Sequence, residues 1–462
     1  MLTLGGLPPP EHPPHPTHTL GGLPPPEHPP HPTHTLGGLP PPEHPPHPTH
    51  TLGGMPHLGG RHGLAPDATL PARDLLLDQD AAGEHLAGLL GRDVTGCELV
   101  RVKYRIGESL RVTYRLAGSE LLTVRAFRPG ESGSAYRRAA GPGVWHDPAL
   151  AAVWWAFPAD RRLRGLADLL SPGPELAALA PGWVAGELVE YSPERAATFR
   201  ALDATGTVLG YAKAYAPGTV DVAERSQRYA RIAAVLAAGG IGAPTPLGAS
   251  AARSVLVLEP MPGAEWGQLS GPALAAAMGR LGSAIATLHA AGRRAAGELP
   301  RFARLDVRRV LHSAHLVAVG RPDVAAAAVR LADRLADGPP PGGPQVALHG
   351  DCHPRNALLA GDSIALIDLD QAGAGVAAAD VGSLIARLIA DGDTGTMRSA
   401  FLSGYQAVRP LPPAGSLRWH TAAALVAERG VRAVNRVHLP TLDRLPELLK
   451  TADDVLLNGV GP

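Results

Sequence analysis

Cysteine is almost missing from this 462-residue chain: Cys97 and Cys352 are its only two. Two thiols cannot make a disulfide framework, so the core must hold the fold, and a reducing cytoplasm is the expected location. Long apolar runs are missing as well. No stretch approaches the ~18 uninterrupted apolar residues of a membrane span, and Met1-Leu2-Thr3-Leu4-Gly5-Gly6-Leu7-Pro8 has neither a basic n-region nor an apolar h-region. A soluble, unexported protein without membrane contact is expected. Net charge is absent too, with 42 basic residues against 42 acidic ones, so no global field draws the chain toward nucleic acid. No protein partner is indicated either. Lysine is the scarcest charged residue. Only Lys103, Lys213 and Lys450 occur, and arginine supplies the rest of the 42 basic side chains, so a lysine retained inside a strand invites a chemical reason.

Proline and glycine are abundant, at 48 and 55 residues. Much of that proline lies in a 16-residue unit rich in Pro and His that starts at Thr3, restarts at Thr19 and Thr35, and stops after Gly54. Proline removes backbone donors and favours polyproline II, and two leucines per unit cannot build a core, so residues 1–60 are expected to be a disordered, solvated tail. Its histidines could bind a transition metal weakly. The plainer reading is an in-frame duplication without function. Met55 stands where the repeat has Leu7, Leu23 and Leu39 and is a candidate initiator, in which case the tail is never made.

Residues 61–180 alternate as strands do at 97–100, 110–116 and 121–127, with turn signals between. From Gly182 the same plan returns in 186–191, 197–202 and 208–216. Aligned at their closing Pro-Gly, Pro129-Gly130 and Pro217-Gly218, the two halves set Arg125 opposite Lys213. This reads as an accessory β-rich region, possibly a degenerate duplicated amino-terminal lobe, with two unrelated small sheets as the competing account. Residues 181–262 then form a β-rich lobe whose third strand carries Lys213 and whose helix runs from Val222 to Gly239. Residues 263–462 are helical, with apolar stripes such as Leu274, Met278, Leu281, Ile285 and Leu288. The expected class is α+β and bilobal.

The clearest functional signal is His349-Gly350-Asp351-Cys352-His353-Pro354-Arg355-Asn356, followed by Ile367-Asp368-Leu369-Asp370. Apolar segments at 345–348 and 363–367 flank the first motif and predict a loop closed by a β-hairpin. An Asp five residues before an Asn, with a second Asp a dozen further, matches the spacing of a kinase catalytic loop and its metal aspartate. Phosphoryl transfer needs nucleotide, metal and acceptor hydroxyl held in line. Asp351 would accept or orient the hydroxyl proton. Asn356 and Asp368 offer the hard oxygens that Mg²⁺ prefers. Lys213, in Tyr-Ala-Lys-Ala-Tyr, would pair with phosphates. Glu224 would either orient Lys213 or satisfy the helix macrodipole. Glu259 and Met261 would lie in the connector that reads the base, unless that segment is only a domain turn. The turn Tyr191-Ser192-Pro193-Glu194-Arg195-Ala196 has no glycine to cradle phosphates.

Residues 182–460 resemble the aminoglycoside phosphotransferase and choline kinase superfamily of protein-kinase-like small-molecule kinases, on the two motifs just quoted and on Asp380-Val381-Gly382. The resemblance implies that Asp351 is the catalytic base, that Asn356 and Asp368 bind magnesium and that Lys213 binds the nucleotide. It implies that Asp380 steadies the catalytic loop, which His349 and His353 also support. Gly350 in place of the protein kinases' Arg points to a small-molecule acceptor. The expected activity is transfer of the γ-phosphate of ATP, with GTP left open, to a hydroxyl of an aminoglycoside-, sugar- or amino-alcohol-like molecule. The alternative is a pseudokinase or nucleotide-responsive binding module. Asp391, Asp393, Glu428, Asp443 and Glu447 are candidates to hold a cationic acceptor, although surface helices carry such charges anyway.

Overall fold

The computed structural model describes residues 63–94, 96–291, 297, 299–301, 305–338 and 343–459, so the Pro/His repeat and Met55 lie outside the described residues. Two short helices, α1 (Arg73–Leu77) and α2 (Gln79–Leu90), precede the first sheet. Asp78 caps α2 by accepting from the amides of Asp80 and Ala81, which satisfies donors that a helix start leaves orphaned. The sheet contains β1 (Glu98–Arg105), β2 (Ser109–Arg115), β3 (Leu121–Phe127), β4 (Val144–Asp147) and β5 (Ala152–Ala156), ordered β1-β2-β3-β5-β4. Helix α3 (Ser132–Ala139) links β3 to β4. Strand alternation sorts the faces. Leu99, Val102, Tyr104, Leu110, Val112, Tyr114, Leu122 and Val124 are buried on one side, and Lys103, Arg111 and Arg125 stand cross-strand to one another on the other.

After α4 (Leu166–Leu170) and α5 (Pro174–Ala177) comes a second sheet of β6 (Ala185–Ser192), β7 (Ala196–Leu202), β8 (Val208–Tyr215), β9 (Pro246–Ser250) and β10 (Val255–Leu258). Its order is β6-β7-β8-β10-β9, and α6 (Val222–Ala238) occupies the place of α3. Both sheets are antiparallel throughout, and in each the first strand carries a bulge. Helix α6 begins at its cap Asp221 and buries Tyr229, Ile232, Ala233 and Leu236.

The remainder is helical: α7 (Gly271–Ala290), then helices at 307–320, 325–337, 378–390, 396–408, 414–424 and 445–458, with a π-helical stretch at 425–430 leading into 431–436. Helix α7 and helix 396–408 approach so closely that a Cβ on Gly404 would sit 1.9 Å from the Gly279 carbonyl oxygen. Four short strands hold the loop region. β11 (Gln345–Leu348) pairs with β14 (Gly373–Val376), and β12 (Ala357–Ala360) pairs with β13 (Ser363–Leu366). The strand before the loop therefore does not face the strand after it. The closing hairpin is β12–β13, and the partner of β11 is a glycine-rich strand with little apolar signal.

The connection from α6 to β9 and the segment from β10 to α7 are both stitched to that hairpin. Gly242 N donates to Ile364 O at 3.0 Å and Leu366 N to Gly242 O at 2.8 Å, while Ala264 and Leu359 exchange bonds of 2.8 and 3.0 Å. The result is an α+β, two-lobed protein-kinase-like fold with a further β-sheet ahead of it.

Candidate active site

The loop after β11 is fixed from below by one buried carboxylate. Asp380, in the first turn of helix 378–390, accepts from His349 N at 2.7 Å and Gly350 N at 2.9 Å. Gly350 has φ of 81°, which only glycine adopts without cost. His289 Nε2 lies 3.2 Å from the same carboxylate, and His289 Nδ1 lies 2.9 Å from the Tyr405 hydroxyl. Burial pushes Asp380 up, but the His289 bond, His349 and the loop amides outweigh it and hold the carboxyl below its usual range.

Above that support, Asp351 Oδ2 accepts from Gln371 Nε2 at 3.0 Å, and Asn356 Nδ2 donates to Asp351 O at 2.9 Å. The latter bond leaves Asn356 Oδ1 as its available acceptor atom. Ile367 N donates to Asn356 O at 2.9 Å, and His349 Nε2 lies 3.1 Å from Ile367 O. Asp368 thereby directly follows a residue bonded to the His349–Asn356 loop, with φ of 58° and a side chain 41% exposed.

Lys213 meets this cluster from β8. Its Nζ donates to Asp368 Oδ1 at 2.5 Å and Tyr229 OH at 3.0 Å, and lies 3.2 Å from Asp370 Oδ1. Burial opposes its charge, but Asp368 and Asp370 outweigh that and raise its pKa well above the ordinary lysine value. Asp370 is also met by Arg225 at 3.2 Å and by the hydroxyls of Tyr229 at 2.8 Å and Tyr215 at 3.0 Å. Burial pushes Asp370 up, yet Lys213 and Arg225 hold it below the carboxylate range. Glu224 is not brought to Lys213. Both of its oxygens accept from Arg228 Nη2 at 2.7 Å, one turn along α6, so Asp370 and not Glu224 links the helix to the lysine. In the connector, Glu259 N donates to Thr245 O at 2.9 Å and Glu259 Oε2 accepts from Thr245 Oγ1 at 2.7 Å. Met261 packs where the Cβ of a residue at Gly242 would go.

His353 Nδ1 is buried without a hydrogen-bond partner. Burial, and after it Arg387, push its pKa down to about 3, so the ring is neutral. Arg387 feels Arg429, Asp351 and Arg355 in turn, and the surroundings of Asp351 thus hold three arginines. The acidic candidates are engaged locally. Glu428 accepts from Ser383 Oγ at 2.5 Å and Arg429 Nη2 at 3.3 Å, and Asp391 lies 3.7 Å from Arg387. Asp393 caps helix 396–408 through the amides of Met397 and Arg398, and Glu447 lies 3.9 Å from Arg444. Asp443 acts on Arg321.

The glycine-free turn between β6 and β7 is held by a device no motif announced. Glu194, 2% exposed, accepts from Arg111 Nη1 and Arg125 Nη1 at 2.6 Å each and is also met by Arg161. Burial pushes Glu194 up, and Arg125, Arg161 and Arg111 reverse that and hold it below the usual range. Its amide donates to Asp160 Oδ2 at 2.8 Å, which also accepts from Tyr191 OH at 2.6 Å. Asp370, Tyr229, Arg225, Glu194 and the arginines near Asp351 were all beyond the sequence reading. Only the Ile-Asp-Leu-Asp motif hinted at the first, and the Tyr-Ala-Lys-Ala-Tyr motif at Tyr215 beside it.

Among the described residues no group of three or more His, Cys, Asp or Glu side chains converges to hold a metal. The amide oxygen of Asn356 and the carboxylate of Asp368 nevertheless suit Mg²⁺, which takes few protein ligands and completes its shell with water and phosphate oxygens. No helix among the described residues is long and apolar enough to cross a membrane.

A two-lobed kinase fold with a lysine, two aspartates and an asparagine at the junction of its lobes defines the class. Residues 197–417 match the model of the phosphotransferase enzyme family. Over those residues the chain is similar to that phosphotransferase family. Similar solved structures include macrolide 2′-phosphotransferase from Brachybacterium faecium, 20% identical, covering 64% of this chain and 99% of that chain, with TM-score 0.39. A choline/ethanolamine kinase family protein from Mesorhizobium loti is 19% identical, covering 62% and 92%, with TM-score 0.42. The microcompartment-associated aminopropanol kinase is 17% identical, covering 60% and 94%, with TM-score 0.45. No curated protein matches the chain by sequence.

Proposed function

We propose that this protein is an ATP- and Mg²⁺-dependent kinase that transfers the γ-phosphate to a hydroxyl of a small polar molecule. The observation that carries the reading is the unbroken chain of contacts from Lys213 to Asp368 and, through Ile367, to Asn356 and Asp351. Asp351, oriented by Gln371, would take or orient the acceptor's proton. Lys213 would turn from Asp368 to the phosphate oxygens while Asp370 keeps its ammonium in place. Asn356 and Asp368 would hold the magnesium, which when bound neutralises phosphate charge. Asp380 keeps the loop rigid, and the neutral His353 adds no competing charge.

The acceptor is best read as sugar-like, neutral or anionic. Arg355, Arg387 and Arg429 gather near Asp351, and the acidic residues that would suit a polycationic aminoglycoside are engaged by Ser383 and local arginines, or by helix amides. We further read residues 61–180 as a degenerate copy of the nucleotide lobe, on the shared strand order and on Arg125 standing in the place of Lys213. With Arg125 committed to Glu194, the residue that stands in the place of Lys213 is not free to meet a nucleotide.

The test is ADP release by the full chain with Mg²⁺ and ATP across a panel of sugars, amino alcohols and aminoglycosides. At least one acceptor should be turned over, and Asp351→Asn should lower kcat by about 10²–10⁴-fold while nucleotide affinity stays within a few-fold. Nucleotide binding without turnover on the whole panel would make the protein a binding module instead.

A further inference from the structure

One half of the polar face of the first sheet has a buried counter-ion, and the other half has none. Arg111 and Arg125 share the buried counter-ion Glu194. Next along the same cross-strand row is Lys103, on edge strand β1, flanked on its own face by Arg101 and Arg105. Helix 431–436 packs against β1 and brings Arg436 into the field of Arg101. Arg195, in the β6–β7 turn, adds its positive field to both Lys103 and Arg436. Among the described residues no carboxylate lies within ion-pair distance of Lys103 or Arg436. Glu190 acts on Arg436 only at longer range, is 58% exposed, and is already 3.3 Å from Arg101.

A half-buried cation cluster without a counter-ion is costly, since burial removes water and like charges add to the penalty. Burial together with Arg436, Arg105, Arg195 and Arg111 pushes the Lys103 pKa down to about 8. The same sheet shows what a fitting anion does, because Glu194 settles three guanidinium groups a few residues away. In a chain that retains only three lysines, one is kept here.

We propose that Lys103 and Arg436, with Arg101 and Arg195 at the rim, form a second anion site, distinct from the cleft at Lys213, that takes a small phosphate-bearing anion. A phosphate offers several acceptor oxygens to cations arriving from a strand, a turn and a helix, and Arg and Lys together suit it. Bound there, it would bridge the first sheet, the turn that carries Glu194, and the helical lobe. The site does not depend on the chain being a kinase.

Calorimetric titration of the full chain with inorganic phosphate tests the assignment. A saturable site is expected that weakens at least about tenfold in Lys103→Met and in Arg436→Gln and persists in Lys213→Met. Loss in Lys213→Met alone, unchanged binding in the first two variants, or no saturation would each overturn it. A second measurement needs no variant at the site. With three lysines, reductively dimethylated protein gives few enough NMR signals to assign Lys103 by comparison with Lys213→Met and Lys450→Arg. Its midpoint should lie near 8 without phosphate and rise when phosphate saturates. A midpoint indifferent to phosphate refutes the site.

Discussion

At the scale of single residues the site is a set of groups whose ionisation is fixed by neighbours, and His353 makes this measurable. In the unfolded chain its ring takes a proton below about pH 6.5; in the fold, burial and Arg387 keep it neutral down to about 3. Its folded pKa is depressed, so stability is undiminished above about pH 6.5 and is lost as pH falls from there toward the folded value. The slope is up to about 1.4 kcal/mol per pH unit. His353→Gln removes that linkage, so between pH 7 and 5 its urea midpoint should fall less than the parent's. Equal slopes would show that His353 titrates normally. The loop from His349 to Asn356 and its contact with Ile367-Asp368 were legible at this scale because these residues are neighbours in sequence. Glu194 was not legible. Its partners Arg111, Arg125 and Arg161 lie 83, 69 and 33 residues away, and no local pattern encodes a contact that only tertiary folding creates.

At the scale of elements, the β6–β7 turn and the α7 contact show where small changes should cost most. A kinase turn without glycine has lost its backbone cradle, and here Asp160 and the arginine triad hold it instead. Glu194→Gln leaves the half-buried guanidinium groups without their counter-ion. It should cost about 3–5 kcal/mol in denaturant unfolding, the usual penalty for stripping one partner from a buried pair, and should raise KM for nucleotide more than it lowers kcat. Wild-type stability in that variant would mean that solvent already neutralises the arginines. Between α7 and helix 396–408 the backbones nearly touch, so Gly404→Ala has no side chain to displace. The helices must separate, and a loss of about 1–3 kcal/mol or more is expected in thermal unfolding. The apolar stripe of α7 was readable from its period, and so was α6. Strand β14 was not, because Gly373-Ala374-Gly375-Val376 carries almost no apolar pattern and is a strand only because β11 pairs with it.

At the scale of the whole molecule, the sheet ahead of the kinase fold is not an appendage. Leu99, Val102, Leu110 and Val112 belong to the same contiguous buried cluster as Val317, Val434 and Leu445 of the helical lobe. Ala65 N donates to Gly320 O at 2.9 Å, and a Cβ on Gly320 would meet Val434 and Ile106 together. On its other side the sheet holds the β6–β7 turn through Glu194. Exposing either face would strand apolar surface or buried charge, each costing several kcal/mol against a net stability of only about 5–15. The described chain should therefore unfold as one cooperative unit. Tryptophan fluorescence, dominated by Trp145, Trp154, Trp155 and Trp183 of the first sheet and its linker, and far-UV dichroism, dominated by the helical lobe, should give coincident midpoints. A fluorescence transition that precedes the loss of helix would show that the first sheet melts alone and that the shared core contributes little to either part.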